Sequence, residues 1–258
     1  MDNLQDRPLG NPLDHSGQVV LVTGGTKGIG RIIASRYAGA GATVVVCGRK
    51  PPEDPVGDFV ACDVRDPDQV DTLVDEVVAR HGRLDVAINN AGGSPYVDSA
   101  TASPRFTESI IRLNLLAPIF VSQAAYRVMK DQDRGGVILN IASVSGTRPT
   151  PGTAAYGAAK AGVLNLTDTL AVEWAPKVRV NAVVAGIIAT ETAEQNYGDQ
   201  ATIDRMAATV PLGRLGTPED VADTCLYLSS PLASYVSGAA LVVDGGGERP
   251  AYLQAFEA

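Results

Sequence analysis

Cysteine is scarce in this chain, aromatic residues are few, and basic residues are outnumbered, and each shortage removes a class of protein from consideration. Three cysteines, Cys47, Cys62 and Cys225, have no metal-ligand spacing, and two of them lie in apolar runs. They read as small buried hydrophobes in a reducing compartment, not as a disulfide framework or a metal set. Twenty-one Lys and Arg against twenty-nine Asp and Glu leave a formal charge of -8. Such a surface repels phosphodiester backbones and anionic head groups, and no local basic patch offsets it, so neither nucleic acid nor a membrane is an expected partner. No apolar window approaches bilayer length. The opening segment MDNLQDRPLGNPLDHSG is polar, broken by Pro8 and Pro12, and lacks the apolar core of a signal peptide. The expectation is a cytoplasmic protein with a loose tail over residues 1–17.

What the chain does have is a globular balance: 45% hydrophobic and 19% charged residues, even with only 5% aromatic. Its 258 residues are enough to bury a substantial core. From Gln18 onward, short apolar runs alternate with longer helical patterns. Strands are expected at 18–23, 43–48, 58–62, 84–90, 136–142, 178–184 and 239–244, with helices near 28–40, 67–81, 105–131, 155–174 and 218–229. Most of the runs are apolar without alternation, as strands covered on both faces are. Repeated strand, helix, strand with short links implies a parallel sheet flanked by helices. No linker or composition break interrupts the pattern, so residues 18–258 form a single domain in this reading.

Ligands of such sheets bind beyond the carboxyl ends of the strands, and distinctive loops stand at those ends. After the first strand comes Thr23-Gly24-Gly25-Thr26-Lys27-Gly28-Ile29-Gly30, opening a helix. Glycines here let the backbone turn tightly and approach a pyrophosphate, and the helix amino end favours its charge. The spacing is not the common G-x-G-x-x-G, so the position after an apolar strand carries the reading. The second strand closes on Gly48-Arg49, with no acid for a ribose 2′-hydroxyl. Arg49 and Lys27 suit a 2′-phosphate instead, which favours NADP(H) and leaves NAD(H) possible. Asp63-Val64 after the third strand is positioned to accept from an adenine amino group, with Asp66 and Asp68 as alternatives. Asn90, Ala91 and Gly92 in Asn89-Asn90-Ala91-Gly92-Gly93 would let the middle of a dinucleotide pass close to the backbone.

The chemistry concentrates in SVSGTRPTPGTAAYGAAK, Ser143 to Lys160. Tyr156 and Lys160 are four apart in a helical run and share a face. Ser143 closes an apolar, strand-length run and should emerge where strand gives way to loop. A free phenol ionises near ~10, and a nearby ammonium favours the phenolate; a shift of ~3 units corresponds to about 4 kcal/mol. Tyr156 is then the acid/base, Lys160 lowers its pKa, and Ser143 fixes the oxygen of a carbonyl or alcohol substrate.

TGGTKGIG, CDV, NNAG, Ser143 and YGAAK occur in the order and spacing of the short-chain dehydrogenase/reductase family, and from about Gln18 to VDGG at 243–246 the chain resembles its single-domain form. The resemblance implies a Rossmann-type three-layer fold on seven parallel strands and hydride transfer with a nicotinamide cofactor, Lys160 also holding the nicotinamide ribose. It adds Asn114, in RLNLLAP, as a fourth catalytic member whose backbone carbonyl kinks a helix and holds a relay water. It adds Gly186, Ile188 and Thr190 as contacts of the nicotinamide. Two departures stand out: Ala185 where the family usually has Pro before Gly186, which costs a fixed φ, and Ala159 where Ser is frequent. Ser94-Pro95-Tyr96, Ser145 to Arg148 and a long insertion, Ile187 to Leu212, would surround the substrate, the last as an acidic mobile lid carrying Glu191, Glu194, Asp199 and Asp204. The mostly apolar helix 155–174 and the 213–247 end are expected to form the two interfaces of a dimer of dimers. Ketone and alcohol interconversion is the expected activity. A 3-oxoacyl-thioester reductase serving a carrier protein, or a dinucleotide-sensing protein without turnover, are the alternatives.

Overall fold

The structure is a computed structural model, and it describes residues 10–191 and 197–250 together with Tyr252 and Phe256. Residues 1–9 of the expected tail and Glu194 of the insertion lie outside the described residues. Seven strands form one sheet in the order β3-β2-β1-β4-β5-β6-β7, and every neighbouring pair is parallel. They are β1 (Val19–Thr23), β2 (Thr43–Gly48), β3 (Asp58–Ala61), β4 (Val86–Asn89), β5 (Gly136–Ser143), β6 (Val178–Ala185) and β7 (Ala240–Val243). The strand order reverses between β1 and β4, so the crevice that binds ligands in this architecture opens there.

Alternate residues of each strand feed two cores. Leu21, Val45 and Val60 pack with Leu73, Val77, Val121 and Trp174 on one face. Val20, Val22 and Val46 pack with Ile33, Tyr37, Val221 and Leu228 on the other. The helices are α1 (Gly28–Gly39), α2 (Pro67–His81), α3 (Pro104–Ile111), α4 (Ala117–Met129), α5 (Ala154–Glu173), α6 (Gln200–Thr209) and α7 (Pro218–Ser229); α1 and α7 cover one face, α2, α4 and α5 the other, and α6 buries no residue. Local sequence sets their starts. Asp66 caps α2, Ser103 caps α3, Asp199 caps α6, and Thr217 with Asp220 forms a capping box on α7. By contrast α1 begins at Lys27 with no side-chain cap of its own and no acid in its first turn.

Two expectations change. The helix expected as one piece over 105–131 is interrupted at Asn114, where the resemblance implies a kink: α3 and α4 are joined by a π-helical turn, Arg112–Leu116. Pro118 is the reason, because it has no N–H to give the carbonyl four residues earlier, which is that of Asn114. The loose segment expected through Gly17 is tied down near its end. His15 is 1% exposed, its N–H donates to the Ala40 carbonyl at 2.8 Å, and its ring meets Tyr37 edge-on at 4.9 Å. Within the insertion, Leu212 and Thr209 bond to the backbone of Gly245 and Arg249, so the carboxyl-terminal segment holds the far end of α6.

Candidate active site

At the carboxyl end of β1, Thr23 organises the crevice. Its hydroxyl donates to the Ile88 carbonyl and accepts from the N–H groups of Asn90 and Ala91 at 3.0 and 3.1 Å. The Asn90 amide donates to the Thr23 carbonyl at 2.9 Å and more weakly to that of Gly24. Asn90 therefore ties the end of β4 to the glycine turn, and its side chain is a strut of the crevice. Gly30 allows this: a Cβ there would sit 2.4 Å from both the Asn90 amide and the Gly24 carbonyl oxygen. Gly24 and Gly28 have φ of 65° and 54°, the left-handed region that glycine occupies without strain.

The turn brings Thr26 against Gly48 at the end of β2, with Lys27 and Arg49 exposed on either side. Ile29 packs half-buried against the core under α1, whereas Val64 is buried in the opposite core. Asp63 is held below the usual carboxylate range, chiefly by its hydrogen bonds with the Arg65 side chain. Arg65, which the sequence reading passed over although D-x-R was visible, meets that carboxylate at 2.5 Å. Asp63 is thus already partnered within its own loop.

On the other side of the crevice, β5 ends at Ser143 as expected, and its Oγ accepts from the Ser145 N–H at 3.2 Å. Tyr156 is the third residue of α5. Lys160, one turn on, is 4% exposed. Its Nζ donates to the Ile141 carbonyl at 2.7 Å and lies 5.6 Å from the Tyr156 ring centroid. Asn114 is fully buried and clamps the neighbouring loop from both sides. It accepts from the Gly93 N–H at 2.8 Å and donates to the Gly93 carbonyl at 3.0 Å. A Cβ on Gly92 would fall 2.7 Å from Asn114 Oδ1 and 3.4 Å from Lys160 Nζ. Asn114 and Lys160 therefore meet at Gly92, and Lys160 in turn lies beside Tyr156, whose hydroxyl is hydrogen-bonded to Ser143.

The electrostatics correct one expectation. The sequence leads one to expect Lys160 to pull the Tyr156 phenol down, but the phenol stands above its ordinary value. Burial raises it, the Ser143 hydroxyl opposes that by hydrogen bonding, and nearby Tyr197 adds to it. The amine of Lys160 is turned to the Ile141 carbonyl and does not reverse the balance. Burial lowers Lys160 itself to about 8, because the charged form is poorly solvated there. Tyr197, a half-buried aromatic from the insertion, was also missed; its hydroxyl donates to the Ile188 carbonyl at 3.3 Å.

Gly186, Ile188 and Thr190 leave β6 toward this crevice. The Gly186 N–H donates to the Val243 carbonyl at 2.9 Å, and Ala189 and Gly216 are bonded to the same segment. Ala185 is the last residue of β6 and pairs with both Ser143 and Val243. The sheet ladder thereby fixes the backbone that a proline would otherwise restrain. The Thr190 methyl lies 3.9 Å from the Cβ position of Gly28, and the Glu191 carboxylate accepts from the Gly28 N–H at 2.8 Å. An acidic group already sits on the glycine turn, so the turn accepts anions, as a dinucleotide pyrophosphate requires. Ser94, Val97, Phe106, Gly152 and Ala155 line a cavity of about 140 Å³ beside the start of α5. At its edge the Tyr96 ring packs on Gly152, and Arg148 pairs with Glu248.

The profile of a family described as enoyl-(acyl carrier protein) reductase matches residues 24–248. A probable 2,4-dienoyl-CoA reductase of Bacillus subtilis is 39% identical over 243 residues, covering 89% of this chain and 96% of that protein. An L-rhamnose 1-dehydrogenase (NAD(P)(+)) of Azotobacter vinelandii is 36% identical, covering 89% and 96%. Among solved structures, the ligand-free aldohexose dehydrogenase of Thermoplasma acidophilum superposes with a TM-score of 0.86 at 34% identity, over 90% of this chain and 94% of that one.

Proposed function

We infer the reaction from one established premise: the chain belongs to the short-chain dehydrogenase/reductase family, whose members are oxidoreductases. The reading it supports best is an NADP(H)-dependent interconversion of a ketone and a secondary alcohol on a small molecule. The observation that carries it is the meeting of three side chains: Ser143 hydrogen-bonds the Tyr156 hydroxyl, Lys160 lies beside the Tyr156 ring, and the Lys160 amine reaches Gly92.

Gly24, Thr26, Gly28 and Gly30 would hold the dinucleotide phosphates, and Arg49 with Lys27 a 2′-phosphate. Asp63, Val64, Ala91 and Gly92 line its path, with Asn90 keeping the path open, and Ile188 and Thr190 lie toward its nicotinamide end. Bound there, the nicotinamide supplies or takes the hydride. Tyr156, raised by burial, is protonated at neutral pH and fit to give its proton to a carbonyl oxygen in reduction. Ser143 donates to the same oxygen. Lys160 keeps a large charged fraction at neutral pH, since its value is about 8, and a turn of its amine from Ile141 toward the phenol would stabilise the phenolate left behind. Asn114 holds the Gly92-Gly93 loop, and its carbonyl, denied a helical partner by Pro118, is available to a relay water.

A second reading, reduction of a 3-oxoacyl chain carried as a thioester, is favoured by the acyl-thioester chemistry in the names of the family and of several relatives. The acidic insertion, with Glu191, Asp199 and Asp204, argues against docking an acidic carrier protein. A second copy of the chain is the expected partner: β7 is an edge strand whose Val242 is 51% exposed. Among the described residues no helix is long and apolar enough to cross a membrane, and we place the enzyme in the cytoplasm on the charge and cysteine arguments. The test is NADPH and NADH oxidation with a panel of small ketones, ketosugars and acetoacetyl and enoyl thioesters. Turnover of ketones with NADPH is expected; turnover of the thioesters alone would replace the first reading with the second, and turnover of none would end both.

A further inference from the structure

Helix α1 opens directly from the glycine turn, and the side chain that meets its first N–H comes from far away in sequence. Glu191 stands 163 residues beyond Gly28, yet its Oε1 accepts from the Gly28 N–H at 2.8 Å, and both carboxylate oxygens lie 3.9 Å from the Cβ position of Gly28. Neither Lys27 nor any residue of the first turn of α1 supplies a cap. The Gly28 N–H is also the group the proposed pyrophosphate site depends on. Two anions cannot share one N–H at the positive end of a helix.

We propose that Glu191 is a resident competitor for the phosphate cradle: in the ligand-free protein its carboxylate occupies the Gly28 N–H and draws the start of the insertion across the crevice, and a dinucleotide must displace it to bind. The proposal rests on the dinucleotide reading above. Its consequence is that Glu191 sets cofactor affinity without contacting substrate. Because it caps a phosphate position common to both cofactors, it weakens NADPH and NADH alike and leaves the choice between them to Arg49.

Glu191 is exposed, so the competition is that of a solvated, charge-assisted contact, and its removal is expected to tighten dinucleotide binding about three- to tenfold. The experiment measures dissociation constants for NADPH and NADH with the wild-type chain, Glu191→Gln and Glu191→Ala, and follows the Gly28 amide by NMR in the ligand-free proteins. Expected are tighter binding of both dinucleotides by both variants in similar proportion, and a shifted, faster-exchanging Gly28 amide in Glu191→Ala before ligand is added. Equal dissociation constants in all three proteins would overturn the proposal. Tighter binding with an unchanged Gly28 amide would overturn it too, since that pattern belongs to general charge repulsion. If none of the three binds either dinucleotide, the reading of the crevice fails, and the competitor with it.

Discussion

Lys160 is built into a place that costs the fold stability, and the cost has a pH signature. Burial lowers its amine from the ordinary lysine value of 10.5 to about 8. The folded chain therefore binds this proton less tightly than the unfolded chain. Between those two values the unfolded state carries more protons, so stability rises with pH through the window and is lowest below it. The full difference corresponds to roughly 3 kcal/mol, of which about 2 to 3 fall between about pH 7 and about pH 10. Lys160→Met keeps the bulk of the stem and removes the proton, at the loss of one hydrogen bond to Ile141. Urea unfolding of both proteins across that range isolates the lysine, because the other titrating groups are shared. The wild type should gain about 2 kcal/mol or more relative to Lys160→Met as pH rises. Parallel curves would mean that Lys160 is solvated or permanently paired, and the reasoning would be refuted.

Other expectations follow from single contacts. Gly92→Ala puts a methyl 2.7 Å from Asn114 Oδ1, so the clamp on Gly93 must open; urea unfolding should show a loss of about 1–3 kcal/mol. Pro118→Ala offers the Asn114 carbonyl its helical N–H back; thermal melting should hold or rise while turnover falls about ten- to a hundredfold, the scale of a displacement of roughly 1 Å in a site. Arg49→Asp should lower the preference for NADPH over NADH about ten- to a hundredfold, and an unchanged ratio in binding assays would remove Arg49 from the 2′-phosphate.

The strands were legible because parallel strands covered on both faces leave uninterrupted apolar runs, and β1, β2, β5 and β6 begin and end within a residue or two of those runs. The convergence of Ser143 with Tyr156 and Lys160 was legible too, since a strand end and an i, i+4 pair are local features. The helix break at Arg112–Leu116 was not visible in the apolar periodicity, which continues through it; the family resemblance, with its helix kink at Asn114, was what pointed to it. The direction of the Tyr156 shift was also hidden: it depends first on burial by the folded chain and then on the nearby Tyr197 hydroxyl, which no spacing reports. Glu191 on Gly28 joins residues with no shared periodicity, so only the folded chain reveals the pairing. Arg65 beside Asp63 is readable in the sequence, because the two stand two residues apart in one turn.

The central claim is that the Tyr156 hydroxyl carries the proton. The measurement that reaches it most directly is steady-state turnover of Tyr156→Phe with the best carbonyl substrate, alongside its dissociation constant for NADPH. Turnover should fall about a hundred- to ten-thousandfold with dinucleotide binding nearly unchanged. Turnover close to that of the wild type would contradict the account.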